Sequence, residues 1–250
     1  HIGHRPTSYR SFQPLGNLIL QFPDGGKPAD YCRELRLRPG IARTRYRLDR
    51  TVYERESFAS APDDMLVVHL SADGPEAITV NISMSRSQDA EVRAAGDHRL
   101  VMKGQIVDVP PPKGPEPNPG GSGPGGEHMR FASRLAVRTQ GGFCSAEGDS
   151  LHVKGADAVT ILLTAATDYS LEPVGFDRSV EPSRVCRDIL EHVSDRDYDE
   201  LRREHVRDHA DMFDRVKLEI GDSPHPDMPL DERLQKVKDG ARDPELVDFF

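Results

Sequence analysis

The residues best spaced for chemistry in this chain are two histidines four apart, in His205-Val206-Arg207-Asp208-His209. On a helix they share one face, the spacing that lets both imidazoles reach a single metal ion. A hydrolytic zinc helix carries Glu directly after its first His, and here that position is Val206. Beyond Asp208 and Asp211 no further ligand is signalled, so the stretch reads as a polar helix with His205 as an interior or rim contact. The second candidates are acid pairs: Glu54 with Glu56, Asp63 with Asp64, and Asp197 with Asp199 and Glu200. A general acid needs a carboxyl in a cleft with its pKa raised; each of these pairs reads as a solvated face or a turn. No Gly-x-Ser-x-Gly elbow occurs, and His128 and the serines show no nucleophile–base spacing. Read residue by residue, the chain assigns no catalytic, cofactor-binding or metal-binding side chain.

The remaining chemistry-bearing features are few. Cys32, Cys144 and Cys186 are three in number and far apart, which excludes a disulfide framework and a CxxC metal knuckle. They read as buried free thiols, two in strands and Cys186 in a helix. Asn81-Ile82-Ser83 is a glycosylation sequon, meaningful only in a secreted eukaryotic setting. The segment 110–127 holds Pro110-Pro111-Pro112 and two Gly-Gly pairs. It lacks the Gly-Lys-Ser/Thr ending of a phosphate loop and reads as a long mobile surface loop. A net charge of -9, with Lys and Arg interspersed among acids, argues against nucleic acid as a partner. No apolar run is long enough to cross a bilayer. With no Trp and 6% aromatics, the core must rest on Leu, Val, Ile and Phe.

The elements that must position these residues are mostly strands. Short alternating or apolar runs bounded by turn residues predict strands over 16–22, 35–37, 41–48, 52–59, 65–70, 78–84, 91–95, 100–104, 131–139, 142–146, 151–153 and 158–166. Asp49-Arg50 predicts a tight hairpin. Residues 65–70 are almost continuously apolar, as befits a strand covered on both faces. In 52–59, Val52, Glu54, Glu56 and Phe58 share one face and Tyr53, Arg55 and Ser57 the other; which face points inward stays open. Strands in succession without intervening helices predict an antiparallel β-sandwich.

After residue 175 the period changes. Glu181-Pro182-Ser183 starts a helix with Val185, Ile189, Leu190 and Val193 on its stripe. A second helix runs over 198–213, with Leu201, His205, Val206, His209, Met212 and Phe213 near its apolar side. Alternation then predicts a returning strand over 215–221, and Asp231 caps a short helix carrying Leu234 and Val237. The expected domains are a partial sandwich over 1–175, a helical linker over 176–214, and over 215–250 the strand and the start of a helical domain. The chain opens at His1 inside a strand-rich pattern and closes on Asp243-Pro244-Glu245-Leu246, where a helix begins. It therefore reads as an interior piece of a longer protein.

Several segments, taken in order, resemble the N-terminal part of glycoside hydrolase family 95, the α-L-fucosidases. They are Tyr9-Arg10-Ser11-Phe12-Gln13-Pro14-Leu15-Gly16-Asn17-Leu18, with Asn17 where the family has Asp; and Tyr31-x-Arg33-Glu34-Leu35-x-Leu37, followed by Ile41-Ala42, Tyr46 and Tyr53-x-Arg55-Glu56-x-Phe58-Ala59-Ser60-x-Pro62-Asp63. Then come His205-x-x-Asp208 with Phe213-x-Arg215-Val216, and finally Asp231-Glu232-Arg233-Leu234 with Asp243-Pro244-Glu245-Leu246. The resemblance implies a super-β-sandwich, a helical linker and the threshold of an (α/α)6 barrel, with the first strands and the barrel itself outside this chain. It also implies inverting hydrolysis of terminal α-L-fucosides, notably α-1,2-linked ones, by barrel residues, so that this chain alone is silent and needs no cofactor. Its implied partners are a fucosylated oligosaccharide or plant or host glycan, and the barrel on which the sandwich packs. The implied setting of the parent is secreted or periplasmic. Two alternatives are a stand-alone carbohydrate-binding sandwich, against which the absence of Trp weighs, and the N-terminal domain of another sandwich-plus-barrel enzyme such as a disaccharide phosphorylase.

Overall fold

The computed structural model describes residues 13–23, 26–109, 126–172, 174–218 and 221–249. Its strands are β1 (Asn17–Gln21), β2 (Ala29–Arg36), β3 (Ile41–Leu48), β4 (Thr51–Ser60) and β5 (Met65–Ala72). There follow β6 (Ile78–Ser85), β7 (Ala90–Ala94), β8 (Arg99–Asp108), β9 (Gly126–Gln140) and β10 (Phe143–Glu147). Last come β11 (Ser150–Ala156), β12 (Ala158–Thr167), β13 (Tyr169–Leu171) and β14 (Val174–Phe176). Three helices complete the order: α1 (Pro182–His192), α2 (Tyr198–Phe213) and α3 (Leu230–Lys238), before a 3₁₀ helix over Pro244–Phe249.

The antiparallel strands form a small sheet of order β1-β6-β11-β10 and a large one of order β2-β3-β4-β5-β12-β9-β8-β7. Alternation explains how the small sheet buries one side. Ile78, Val80, Ile82 and Met84 of β6 are all buried while Asn81 is exposed. The register Leu18↔Met84 and Leu20↔Ile82 adds the apolar side chains of β1 to the same face. Opposite them Val68, Leu70, Leu100, Leu135, Val159 and Ile161 of the large sheet close the first core.

A second core lies on the outer face of the large sheet, where Ile41, Phe58, Met65, Val67 and Leu162 meet Leu190, Val193 and Leu201 from the helices. The molecule is therefore layered sheet on sheet on helix. Strands β5 and β12 are apolar on both faces because both are covered. Val67 and Val68, consecutive in β5, serve different cores. The expected sandwich followed by helices is thus what the chain adopts.

Both long helices begin on signals visible in the sequence. Glu181 accepts a hydrogen bond from the Ser183 N–H ahead of Pro182, and Asp197 with Glu200 forms a full capping box. Of the stripe expected on α1, Leu190 and Val193 are buried and Ile189 is half-buried against the same core, while Val185 is exposed and Cys186 is buried in its place. The Cys186 thiol lies 3.5 Å from the Ala132 carbonyl, a close approach that a branched valine at that position would crowd. On α2, Met212 and Phe213 are exposed as the helix runs off the end of the sheet.

Other expectations are corrected. No strand forms over 215–218, where Val216 and Leu218 are exposed; alternation alone makes no strand without an edge to pair with. Residues 219 and 220 lie outside the described residues. Pro229, not Asp231, precedes α3, and no side chain caps it. Its buried residue is Arg233, held by Asp243 at 2.8 Å and Glu245 at 2.9 Å, while Val237 is exposed. The pair β13–β14 was not anticipated. Cys32 is exposed, not buried. Of the Pro/Gly segment 110–127, Gly126 and Glu127 belong to β9 and residues 110–125 lie outside the described residues, as do residues 9–12 of the first family segment.

Candidate functional site

Of the acid pairs and histidines singled out above, Glu56, Asp63, His205 and His209 converge on one place, the seam between the outer face of the large sheet and helix α2. Strand alternation sends Glu56 and Phe58 of β4 outward to this seam, which settles the face that the sequence left open. Glu56 is buried and accepts hydrogen bonds from the Tyr198 hydroxyl and from Arg202 Nε at 2.8 Å. Burial alone would raise its pKa, but the bonds from Arg202 and Tyr198 outweigh it and hold the carboxyl below its ordinary 4.5. In turn, burial and the Glu56 carboxylate push the Tyr198 phenol far above its usual range, so its proton stays in place.

His69 lies opposite Glu56 across the β4–β5 ladder. Its imidazole stacks on the Tyr198 ring at 3.7 Å with 9° between the planes, and its Nδ1 lies 2.9 Å from the Thr160 hydroxyl. Burial lowers its pKa below 6.5, so the ring is neutral at pH 7.

One turn along α2, His205 stacks on Phe58 at 4.5 Å and its Nε2–H donates to the Gly40 carbonyl at 3.2 Å. Burial also keeps His205 below 6.5. His209 donates from Nδ1 to the Arg38 carbonyl at 2.9 Å. The spacing of four that suggested a metal pair therefore puts both rings on one β-turn, residues 37–40, as hydrogen-bond donors. Gly40 is the residue this turn requires: its φ is +63°, and an added Cβ would lie 2.7 Å from the His209 ring. Among the described residues no group of three or more His, Cys, Asp or Glu is placed to hold a metal ion.

The acids at the near end of α2 are engaged in the same way. Asp63, buried after β4, accepts from the Ser60 hydroxyl at 2.6 Å and from Arg196, which also reaches Glu204. Arg138 of β9 donates to the Val193 carbonyl at 2.7 Å and to that of Arg196, tying down the end of α1. Asp197 is consumed by the cap. Glu54 is held by Arg43, and Asp64 is exposed. A buried carboxylate that spacing did not reveal is Asp168. It accepts from the Arg130 N–H at 2.8 Å and Nε at 2.9 Å, and from Arg178, closing the end of β12. Burial works to raise the Asp168 carboxyl, but these bonds hold it below its ordinary value.

The Glu56 and Asp168 carboxyls are fixed by guanidinium groups and held below their ordinary pKa, the reverse of what a general acid requires. What the seam does is clamp α2 to the sheet through a mixed patch in which Leu201 is fully buried. The ionic contacts of Arg196 with Asp63 and of Arg202 with Glu56 each link residues more than a hundred positions apart in sequence.

The two sides of this seam match two different family models of carbohydrate-active enzymes. Residues 2–172 match the family described as glycosyl hydrolase family 65, N-terminal domain, and residues 197–250 match the glycosyl hydrolase family 95 catalytic domain. The chain belongs to the first of these families, and the match to the second begins at the N-cap of α2. Alpha-L-fucosidase 2 of Arabidopsis thaliana is 27% identical over 228 residues, which cover 85% of this chain and 26% of that protein. The chain thus spans about a quarter of the length of this curated relative. Among solved structures, a putative kojibiose phosphorylase from the human microbiome aligns with 73% of this chain and 25% of its own, at a TM-score of 0.43 and 10% identity. A family GH92 alpha-mannosidase from Bacteroides thetaiotaomicron aligns with 73% of this chain and 22% of its own, at a TM-score of 0.28 and 10% identity.

Proposed function

We propose that this chain is the amino-terminal portion of a glycoside hydrolase of the α-L-fucosidase type, and that its own part is to seat the helical catalytic domain on the sandwich. The observation that carries this is the succession along one chain of a family 65 N-terminal domain and the opening of a family 95 catalytic domain, with a fucosidase relative aligned across both. The seam gives the succession a physical meaning: α2, the first helix of the catalytic match, is clamped to the sheet by Glu56, Arg202, His205 and His209. On this reading residues 173–196, with α1, are the connection, and the linker is shorter than the 176–214 expected from periodicity.

The proposed reaction is inverting hydrolysis of terminal α-L-fucosides, α-1,2-linked ones foremost. It needs an acid at the leaving oxygen and a base-activated water on the opposite face. No carboxylate of the seam fits either role, so both belong to the catalytic domain beyond the residues described.

The test is release of L-fucose from an α-1,2-fucosylated oligosaccharide, by the 250-residue chain and by a longer chain that includes the full catalytic domain. The longer chain should release β-L-fucose as the first product while the shorter one is silent. Inorganic phosphate should leave product and rate unchanged. Turnover by the 250 residues alone, or formation of a sugar phosphate, would overturn the reading.

A further inference from the structure

The large sheet has eight strands and the small one facing it four, so the inner face of β2, β3 and β4 extends beyond the cover of the small sheet. The space left is a cavity of about 290 Å³ between this face and the chain at the two ends nearest it, after β1 and before β6. That volume lies at the lower end of the range for small-ligand sites, which begins at roughly 300 Å³. Phe22, Tyr31, Tyr46 and Tyr53 supply aromatic walls, with Thr44 and Arg55 between them.

The aromatic surface follows from the hairpin. The two-residue turn at Asp49-Arg50 makes Tyr46 and Tyr53 cross-strand partners. Their rings stack at 5.4 Å with 13° between the planes, and the Tyr53 hydroxyl donates to the Ala77 carbonyl at 3.4 Å. Tyr31, 58% exposed, and Phe22, 38% exposed, stand at the mouth. The Tyr46 hydroxyl and the Arg55 guanidinium, both on half-buried residues, have no hydrogen-bond or ion-pair partner among the described residues. Arg43, Arg138 and Arg233, also buried or half-buried, are matched to carboxylates or carbonyls, and Arg134 to a hydroxyl. The Arg55 nitrogens and the Tyr46 hydroxyl are reached by solvent and can donate to a ligand in the groove.

We infer that this groove binds a neutral mono- or disaccharide unit, its C–H face against the tyrosine rings and its hydroxyls on Arg55, Tyr46 and Thr44. The negative face of an aromatic ring attracts polarised C–H groups, and a planar guanidinium can serve two neighbouring hydroxyl oxygens at once. A net charge of -9 disfavours an anionic ligand. The choice of saccharide as ligand class rests on the glycoside-hydrolase reading; the groove itself rests on geometry. The sequence places Tyr46 and Tyr53 four residues either side of the hairpin centre, so the stacked pair was readable there, although the overhang that opens it to ligand was not.

The experiment is a titration of the isotope-labelled 250-residue chain, followed by amide NMR, with L-fucose, lactose, an α-1,2-fucosylated lactose and digalacturonate as probes. The expected result is saturable binding of at least one neutral sugar, with shifts confined to residues around 22, 31, 44–46 and 53–55. Tyr31→Ala, at an exposed position, should keep the dispersed spectrum of the folded chain and weaken that binding about three- to tenfold. Tyr46→Phe, which keeps the ring and removes only the hydroxyl, should weaken it less. Lack of binding by every probe, binding of digalacturonate alone, shifts mapping elsewhere, or unchanged affinity in folded Tyr31→Ala would each overturn the proposal. Those failures would leave fucose release by the longer chain untouched, so the two readings fall separately.

Discussion

Replacing Gly40 by alanine tests the clamp between sandwich and helix at its tightest point. The turn that ends at Gly40 closes with a bond from its N–H to the Leu37 carbonyl at 3.1 Å and holds a left-handed φ of +63°. An alanine in that conformation costs about 1–2 kcal/mol. Its Cβ would also lie 2.7 Å from His209 Cδ2 and 2.9 Å from Cγ and Nε2, too close for the ring to stay. A displaced ring gives up its bond to the Arg38 carbonyl, worth about 1 kcal/mol, and its contact with Phe213. The expected loss is therefore about 2–4 kcal/mol, a large part of the roughly 5–15 kcal/mol typical of a folded domain. Urea unfolding of wild type, Gly40→Ala, His209→Ala and the double variant at pH 7 would measure it. With the imidazole gone, Gly40→Ala should cost only the backbone part, so the two changes should couple by about 1–2 kcal/mol. Additive single effects, or a Gly40→Ala loss below about 0.5 kcal/mol, would mean that His209 does not press on this turn.

Further outcomes follow from the same seam and its surroundings. Stability should fall as pH drops through 6.5, because the unfolded chain protonates histidines that burial keeps neutral at His69 and His205. It should fall again below 4.5, where unfolded Glu56 takes up a proton that the folded carboxylate refuses; Glu56→Gln should make this second decline shallower, leaving the part that comes from Asp168 and Asp243, as unfolding titrations at stepped pH would record. A thiol reagent should label Cys32 rapidly in the folded chain. Cys144 and Cys186, buried and with thiols pushed up to about 11, should react only on unfolding, as mass spectrometry of timed samples would resolve. Arg233→Ala strips the buried Asp243 of its bidentate partner and should cost the 221–249 segment about 1–3 kcal/mol. Hydrogen exchange should then speed up in α3 and the 3₁₀ helix and remain unchanged in β5 and β12.

What could be read from the sequence was whatever depends on neighbours along the chain. The alternation of β6, the continuous apolar run of β5, the hairpin at Asp49-Arg50 and the Glu181-Pro182-Ser183 start of α1 are all local, and the fold uses each as read. The misreadings share a different cause. Val185 and Cys186 are equally good candidates for a buried stripe until the Ala132 carbonyl selects the smaller side chain. Arg233 belongs on a solvated face until Asp243 folds back against it. Val216 and Leu218 alternate with charged residues as strand residues do, but no free edge receives them. The candidate site shows the same limit: Glu56, Asp63, His205 and His209 were visible as residues, while Arg202, Arg196 and the turn at Gly40 that occupy them are distant in sequence. Pairing decides whether a carboxylate is a catalyst or a fastener, and pairing is a property of the folded chain.

The two-sided burial of the large sheet bears on how such domains can be exchanged during evolution. A chain cut after residue 172, where the family 65 match ends, would leave Ile41, Phe58, Met65, Val67 and Leu162 facing water. Such a patch favours self-association over a soluble monomer. The unit that can be transplanted intact therefore includes α1 and α2, although α2 falls within the match to the family 95 catalytic domain. A recombination that respects the sequence boundary would strand the sandwich, whereas one placed beyond Phe213 would carry the clamp along with it.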